Sequence, residues 1–156
     1  MANFIGDYTC KLDAKGRVLL PAAFKKQMSA GDKDRFVIKK DIFARCLVLY
    51  PIEEWERQNI IIRSRINPYK REHNEFLRAF YKGTADVTLD GNNRLLIPRK
   101  LIEVIGGNNE IVLAGQYNKI EMWPKDAYDR IDGTNNEFAS LAEKILGSTN
   151  PETSEK

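Results

Sequence analysis

Very few side chains in this 156-residue sequence are of the kinds that carry covalent chemistry: there is one histidine, His73, and there are two cysteines, Cys10 and Cys46. His73 lies in the charged stretch Arg71-Glu72-His73-Asn74-Glu75 and reads as a surface residue. Cys10 and Cys46 fall on predicted strands, where a thiol packs as a small apolar group. Two thiols and one imidazole make a poor zinc site, and two cysteines cannot build a disulfide framework. No glycine-rich loop follows a strand in the manner of a phosphate cradle. Asp86 and Asp90 are near enough to suggest paired carboxylates, but they fall on a strand and a turn with no basic or metal partner evident. No enzymatic chemistry emerges, and no cofactor, metal or small-molecule substrate is expected.

What the sequence offers instead is fixed charge. In Asp13-Ala14-Lys15-Gly16-Arg17, the aspartate can accept backbone N–H groups within a tight turn. Gly16 permits a positive φ that a branched residue would adopt only under strain. Lys15 and Arg17 then project from a stiff hairpin. Lysine is a compact charge suited to phosphate, and arginine is a planar fork that fits either phosphate or the O6/N7 edge of guanine. Lys11, two residues before Asp13, extends the same basic ridge, and a two-stranded ribbon is narrow enough to enter a major groove. Asp13 reads first as the residue that holds the turn. Arg17 divides between pairing with Asp13 and gripping a ligand, and Lys15 has no structural duty. Residues 1–82 hold 17 Lys and Arg against 10 Asp and Glu, whereas residues 83–156 hold 8 against 12, so the net charge of +3 hides a basic half that suits a polyanion.

These residues sit in an internal repeat, the first feature to seek in any chain. Leu12-Asp13-Ala14-Lys15-Gly16-Arg17-Val18-Leu19-Leu20-Pro21 recurs as Leu89-Asp90-Gly91-Asn92-Asn93-Arg94-Leu95-Leu96-Ile97-Pro98, and Leu47-Val48-Leu49-Tyr50-Pro51 recurs as Ile120-Glu121-Met122-Trp123-Pro124. Asp90 and Arg94 therefore repeat the Asp13 and Arg17 pair. Each copy predicts a short alternating strand (Tyr8 to Leu12; Ala85 to Leu89), a turn, a strand ending at proline, a short helix and a hairpin. The hairpins are Arg35 to Lys39 with Cys46 to Tyr50, and Glu110 to Ala114 with Lys119 to Trp123. One copy is too small to bury a good core alone, so two copies must share one. Between them a helix opens near Glu53-Glu54-Trp55 and breaks at Asn67-Pro68. A second, about Tyr69 to Tyr81, lines up Phe76, Leu77, Phe80 and Tyr81. Asn136 to Leu146 predicts an amphipathic helix, and the polar end after it predicts disorder. Trp55 and Trp123, each close to a proline, read as core or interface residues.

The composition, 42% hydrophobic and 30% charged, is that of a folding chain. No apolar run approaches the roughly 18–20 residues that span a bilayer. The opening MANFIGDYTCKLD lacks a basic region followed by an apolar one, so no secretory leader is expected and the chain is expected in the cytosol.

The two Asp-x-x-x-Arg-x-x-x-Pro copies, the Leu47-to-Trp55 stretch, Leu113-Ala114-Gly115-Gln116-Tyr117-Asn118-Lys119 and the helices between them resemble the MraZ family of bacterial transcriptional regulators, which carry two AbrB/SpoVT-type modules in one chain. The resemblance covers about residues 1–146. It implies an α+β fold, a double-split, swapped-hairpin β-barrel made from both repeats. The organisation it implies is a first module at 7–54, a helical linker at 55–82, a second module at 83–126, a C-terminal helix at 134–147 and a disordered tail at 148–156. It further implies a nucleoid-associated, ring-shaped homo-oligomer, octameric or larger. Such a ring binds short repeats in double-stranded DNA, usually as a repressor of its own operon, the division and cell-wall gene cluster. The DNA-binding residues expected from motif and resemblance together are Lys11, Lys15, Gly16, Arg17 and Arg94, with Asp13 and Asp90 holding the turns. The second turn, Asp90-Gly91-Asn92-Asn93-Arg94, departs from the family's best DNA-facing turn because it lacks the Lys-Gly pair. The competing reading is an oligomeric adaptor that keeps the fold without binding DNA; the Lys15-Gly16-Arg17 turn argues against it. In a ring, tandem modules on tandem sites raise avidity by roughly 10²–10⁴. Ring closure requires heterologous contacts, for which Phe76, Phe80 and Tyr81 are candidates alongside simple packing within the chain.

Overall fold

The computed structural model describes residues 2–147. In the first repeat, β1 (Asp7–Lys11) alternates, with Asp7, Thr9 and Lys11 outward and Tyr8 and Cys10 inward. β2 (Arg17–Leu19) follows, and Pro21 starts α1 (Ala22–Gln27), where a missing N–H costs nothing. A 3₁₀ turn at Ala30–Asp32 leads to β3 (Arg35–Lys40), which pairs with β4 (Leu47–Pro51). The continuous apolar run of β4 is buried throughout, as a strand covered on both faces requires. The linker forms α2 (Ile52–Arg65), with Glu53 and Glu54 in its first turn, and α3 (Arg71–Tyr81). The second repeat gives β5 (Ala85–Thr88), β6 (Arg94–Leu96), α4 (Arg99–Val104), β7 (Glu110–Gln116) and β8 (Lys119–Pro124). α5 (Lys125–Asp129) and α6 (Asn136–Leu146) complete the chain.

The repeats exchange strands. The sheet order is β1-β7-β8-β4-β3-β5, antiparallel at every pairing, so each repeat's opening strand lies on the other repeat's hairpin. That order is its own mirror when each strand is replaced by its repeat mate. The centre of symmetry is where Val48 faces Glu121, which are repeat mates. The separate ribbon of β2 and β6 obeys the same rule, because Val18 faces its mate Leu95. Both are fully buried. Among the described residues no ladder joins β1 to β5, so the six-stranded sheet is open and no closed barrel is found.

The core draws on both repeats: Leu12, Val18, Phe24, Phe36, Ile38 and Leu49 pack with Leu89, Leu95, Ile97, Ile111, Leu113 and Met122. Burying each such side chain contributes about 1.5–3 kcal/mol. Gly115 is required by a close approach, since an added Cβ would lie 2.5 Å from the Phe4 carbonyl oxygen.

The linker helices have their own seam. Trp55 lies parallel to Phe80 at 6.1 Å, and Tyr81 meets Trp55 edge-on. Lys39 Nζ sits 4.1 Å above the Phe80 ring. Tyr81 also hydrogen-bonds Asn59. Phe80 and Tyr81 are thus engaged within the chain, and of the three residues weighed for ring contacts Phe76 is the one that stays exposed. Glu54 is buried and accepts from Arg57, Gln58 and Asn118 (2.8 Å), which ties α2 to the β7–β8 turn.

The described chain divides after Lys125 into two compact units. In the C-terminal unit, Asn135 Oδ1 caps α6 by accepting from the Phe138 N–H at 2.8 Å. The predicted tail at 148–156 lies outside the described residues. No helix among them is long and apolar enough to cross a membrane.

Candidate nucleic-acid interface

The first turn is built around one carboxylate. Asp13 Oδ1 accepts from the backbone N–H of Lys15 at 3.0 Å and of Arg17 at 2.9 Å. Its Oδ2 accepts from Arg17 Nε at 2.7 Å. Backbone bonds from Gly16 to the Asp13 carbonyl and from Asp13 to the Arg17 carbonyl close the loop, both 2.9 Å. Gly16 has φ +87°, and an added Cβ would lie 3.1 Å from both Ile102 Cδ1 and the Ile97 carbonyl oxygen. The backbone N–H of Arg17, together with its guanidinium and the Lys15 N–H, holds the Asp13 carboxyl below the usual carboxylate range.

The second turn repeats this geometry. Asp90 Oδ1 accepts from Asn92 N–H at 2.8 Å and Arg94 N–H at 3.0 Å, and Oδ2 accepts from Arg94 Nε at 3.1 Å. The Asp90 carboxyl is lowered for the same reason, the Arg94 backbone N–H first. Asn93 takes the place of Gly16 with φ +60°, a conformation that asparagine tolerates better than most residues.

Lys11 and Lys15 are exposed and make no ion pair among the described residues, while Arg17 and Arg94 are half-buried. Each arginine spends Nε on its aspartate, and the aspartate fixes the guanidinium plane. Asp86, without an evident basic partner in the sequence, is paired with Arg35 through two bonds of 2.8 and 2.6 Å. That pair crosses from β3 to β5, so only the exchanged topology reveals it. Cys46 is buried, and burial pushes its thiol up to about 12, which keeps it protonated and unreactive. His73 Nδ1 accepts from the Asn67 N–H at 2.9 Å and so caps the break between α2 and α3.

Strand exchange brings in residues that the sequence did not flag. Leu12 N–H donates to the Asn109 carbonyl at 2.8 Å. The first turn therefore shares a cleft of about 210 Å³ with Arg99, Ile102, Glu103, Asn108 and Asn109 of the second repeat. At the mate position, Leu89 N–H donates to the Asp34 carbonyl, also at 2.8 Å.

An α+β scaffold of two exchanged repeats, each with an arginine held by the aspartate of its own turn, defines the class of protein. The chain belongs to the MraZ family: the family model described as "MraZ protein, putative antitoxin-like" matches residues 3–77 and 80–146. Similar curated proteins carry the name "Transcriptional regulator MraZ". One, from Christiangramia forsetii, is 43% identical over 150 residues, covering 94% of this chain and 95% of its own. Another, from Flavobacterium psychrophilum, is 38% identical over 151 residues, 96% of each. A third, from Clostridium acetobutylicum, is 31% identical over 145 residues, covering 91% of this chain and 96% of its own.

Proposed function

We propose that this chain is a sequence-specific DNA-binding transcriptional regulator, a repressor that acts on its own operon in the division and cell-wall gene cluster. Membership of a family whose relatives are named transcriptional regulators supports the reading. The observation that carries it is the first turn, where a carboxylate locks the backbone while Lys15 stays exposed with no ion pair among the described residues and the outer nitrogens of Arg17 are free of the Asp13 bond. Lys11, Lys15 and Arg17 form the ridge that contacts DNA, Gly16 shapes it, and Arg94 contributes from the second turn. Lys15 grips phosphate as a point charge; Arg17 offers its remaining N–H groups to a phosphate or a guanine edge.

The strand exchange supports a double-split, swapped-hairpin barrel, with the β2–β6 ribbon spanning the open side of the sheet. Modules at 7–54 and 83–126, joined by the linker at 55–82 and followed by the helix at 134–147, form one subunit. Subunits assemble into a ring of eight or more, which engages short repeats in double-stranded DNA through several ridges at once. The site of action is the cytoplasmic nucleoid.

A gel-shift with the chain's own upstream region at moderate salt tests this. Wild type binds; Lys15→Ala with Arg17→Ala keeps its fold and assembly size but loses binding, and Arg94→Ala alone loses less. Undiminished binding by the double variant would falsify the site.

A further inference from the structure

The cleft beside the first turn is made by both repeats. Ala14, Lys15 and Gly16 line it from the first repeat, and Arg99, Asn108 and Asn109 line it from the second. Arg99 is exposed, and no carboxylate lies within ion-pair distance of it among the described residues. Two cations, Lys15 and Arg99, thus line one concave polar surface together with two exposed asparagine side chains able to donate. Two carboxylates share the lining: Glu103, and Asp13, whose charge is already engaged by Arg17. The mate position carries a different set. Repeat alignment by the Leu12–Asn109 and Leu89–Asp34 bonds puts Asn92 where Lys15 stands, and the common Pro21/Pro98 register puts Ala22 where Arg99 stands. The turn with the lysine is therefore also the turn that receives an arginine from the opposite repeat.

We infer that Arg99 is a DNA-contact residue: with Lys15 it seats one backbone phosphate of the duplex in this cleft, so the first-turn DNA site is assembled from both repeats. This rests on the DNA-binding reading above and adds a residue that the turn motif does not contain. Two cations converging on one concave surface hold a phosphate that either alone would meet only as a solvated surface charge. Glu103 repels the same phosphate and makes the contact weaker than it would otherwise be.

Fluorescence anisotropy on a duplex from the chain's own upstream region, titrated at several chloride concentrations, tests it. Arg99→Ala is expected to weaken binding by roughly threefold to tenfold per engaged module and to flatten the log–log salt slope by about one per module. Arg99→Lys restores most of the slope. Glu103→Gln tightens binding, and Arg63→Ala, on α2, leaves affinity unchanged. Thermal melts of the variants stay at the wild-type value, since Arg99 makes no ion pair or side-chain hydrogen bond among the described residues. If wild type binds and Arg99→Ala matches it in affinity and slope, the inference falls while the DNA reading stands. If wild type fails to bind any duplex, both fall.

Discussion

Asp13 and Asp90 do the same work in two turns that differ in every residue between aspartate and arginine. Each accepts two backbone N–H groups and one arginine Nε. The shared bonds mark the aspartates as turn builders, and the divergent middles leave the charge of each turn free to differ. Both carboxyls titrate below their usual range in the folded chain. The ionised form is therefore the one that the fold favours. Their contribution is complete above the ordinary carboxylate value of about 4 and is lost as pH falls through the lowered folded-state values. Melting temperatures measured against pH should drop below pH 4 in wild type, and an Asp13→Asn, Asp90→Asn double variant should show a shallower drop. Gly16→Ala is expected to cost about 1–3 kcal/mol, because it combines a positive φ with a Cβ crowded by Ile102 and the Ile97 carbonyl; urea unfolding reads this directly. These roles could be read from the sequence, since an Asx turn is local chemistry within five residues. Arg35 with Asp86, and Arg99 beside Lys15, could not, because the partners are brought together by strand exchange rather than by spacing.

Among the elements, strands and short helices fall close to where alternation, proline and glycine place them. β1 ends at Lys11 and α1 starts just after Pro21. What alternation cannot tell is which strand lies next to which. A half-buried pattern fixes the face of β1 but not that β7, rather than its own hairpin, completes it. The helical periodicity of α3 likewise identifies an apolar face without its partner, which proves to be Trp55 on α2 together with the Lys39 ammonium above the Phe80 ring. Phe80→Ala should therefore uncouple the two linker helices at a cost of about 3–5 kcal/mol. Trp55 emission should shift to the red in the folded variant, and the β-sheet signal should persist at low denaturant. An unchanged Trp55 spectrum would show that the helices are held elsewhere.

Across the whole molecule, a duplication becomes a shape. Val18 facing Leu95 and Val48 facing Glu121 place repeat mates opposite one another, so a single chain carries two related turns on one ribbon. The sequence made the duplication visible through Asp-x-x-x-Arg-x-x-x-Pro, and the size of each copy required a shared core. The pseudo-symmetry, however, stops at the surface. Residues 1–82 carry net positive charge and residues 83–156 net negative charge, so on the proposed DNA-binding reading the first ridge is expected to be the stronger grip on a polyanion. A weak ridge becomes a useful one by being repeated around an assembly. Light scattering after size exclusion should give a particle of eight or more 17.9 kDa chains, and the Lys15→Ala, Arg17→Ala variant should give the same mass.

The most direct measurement is the slope of log affinity against log salt for the upstream duplex, taken on assemblies of verified mass with and without the Lys15→Ala, Arg17→Ala pair. Wild type should show a steep slope, falling by about two per engaged module when both cations are removed. Equal slopes for the two assemblies would contradict a DNA grip centred on the first turn.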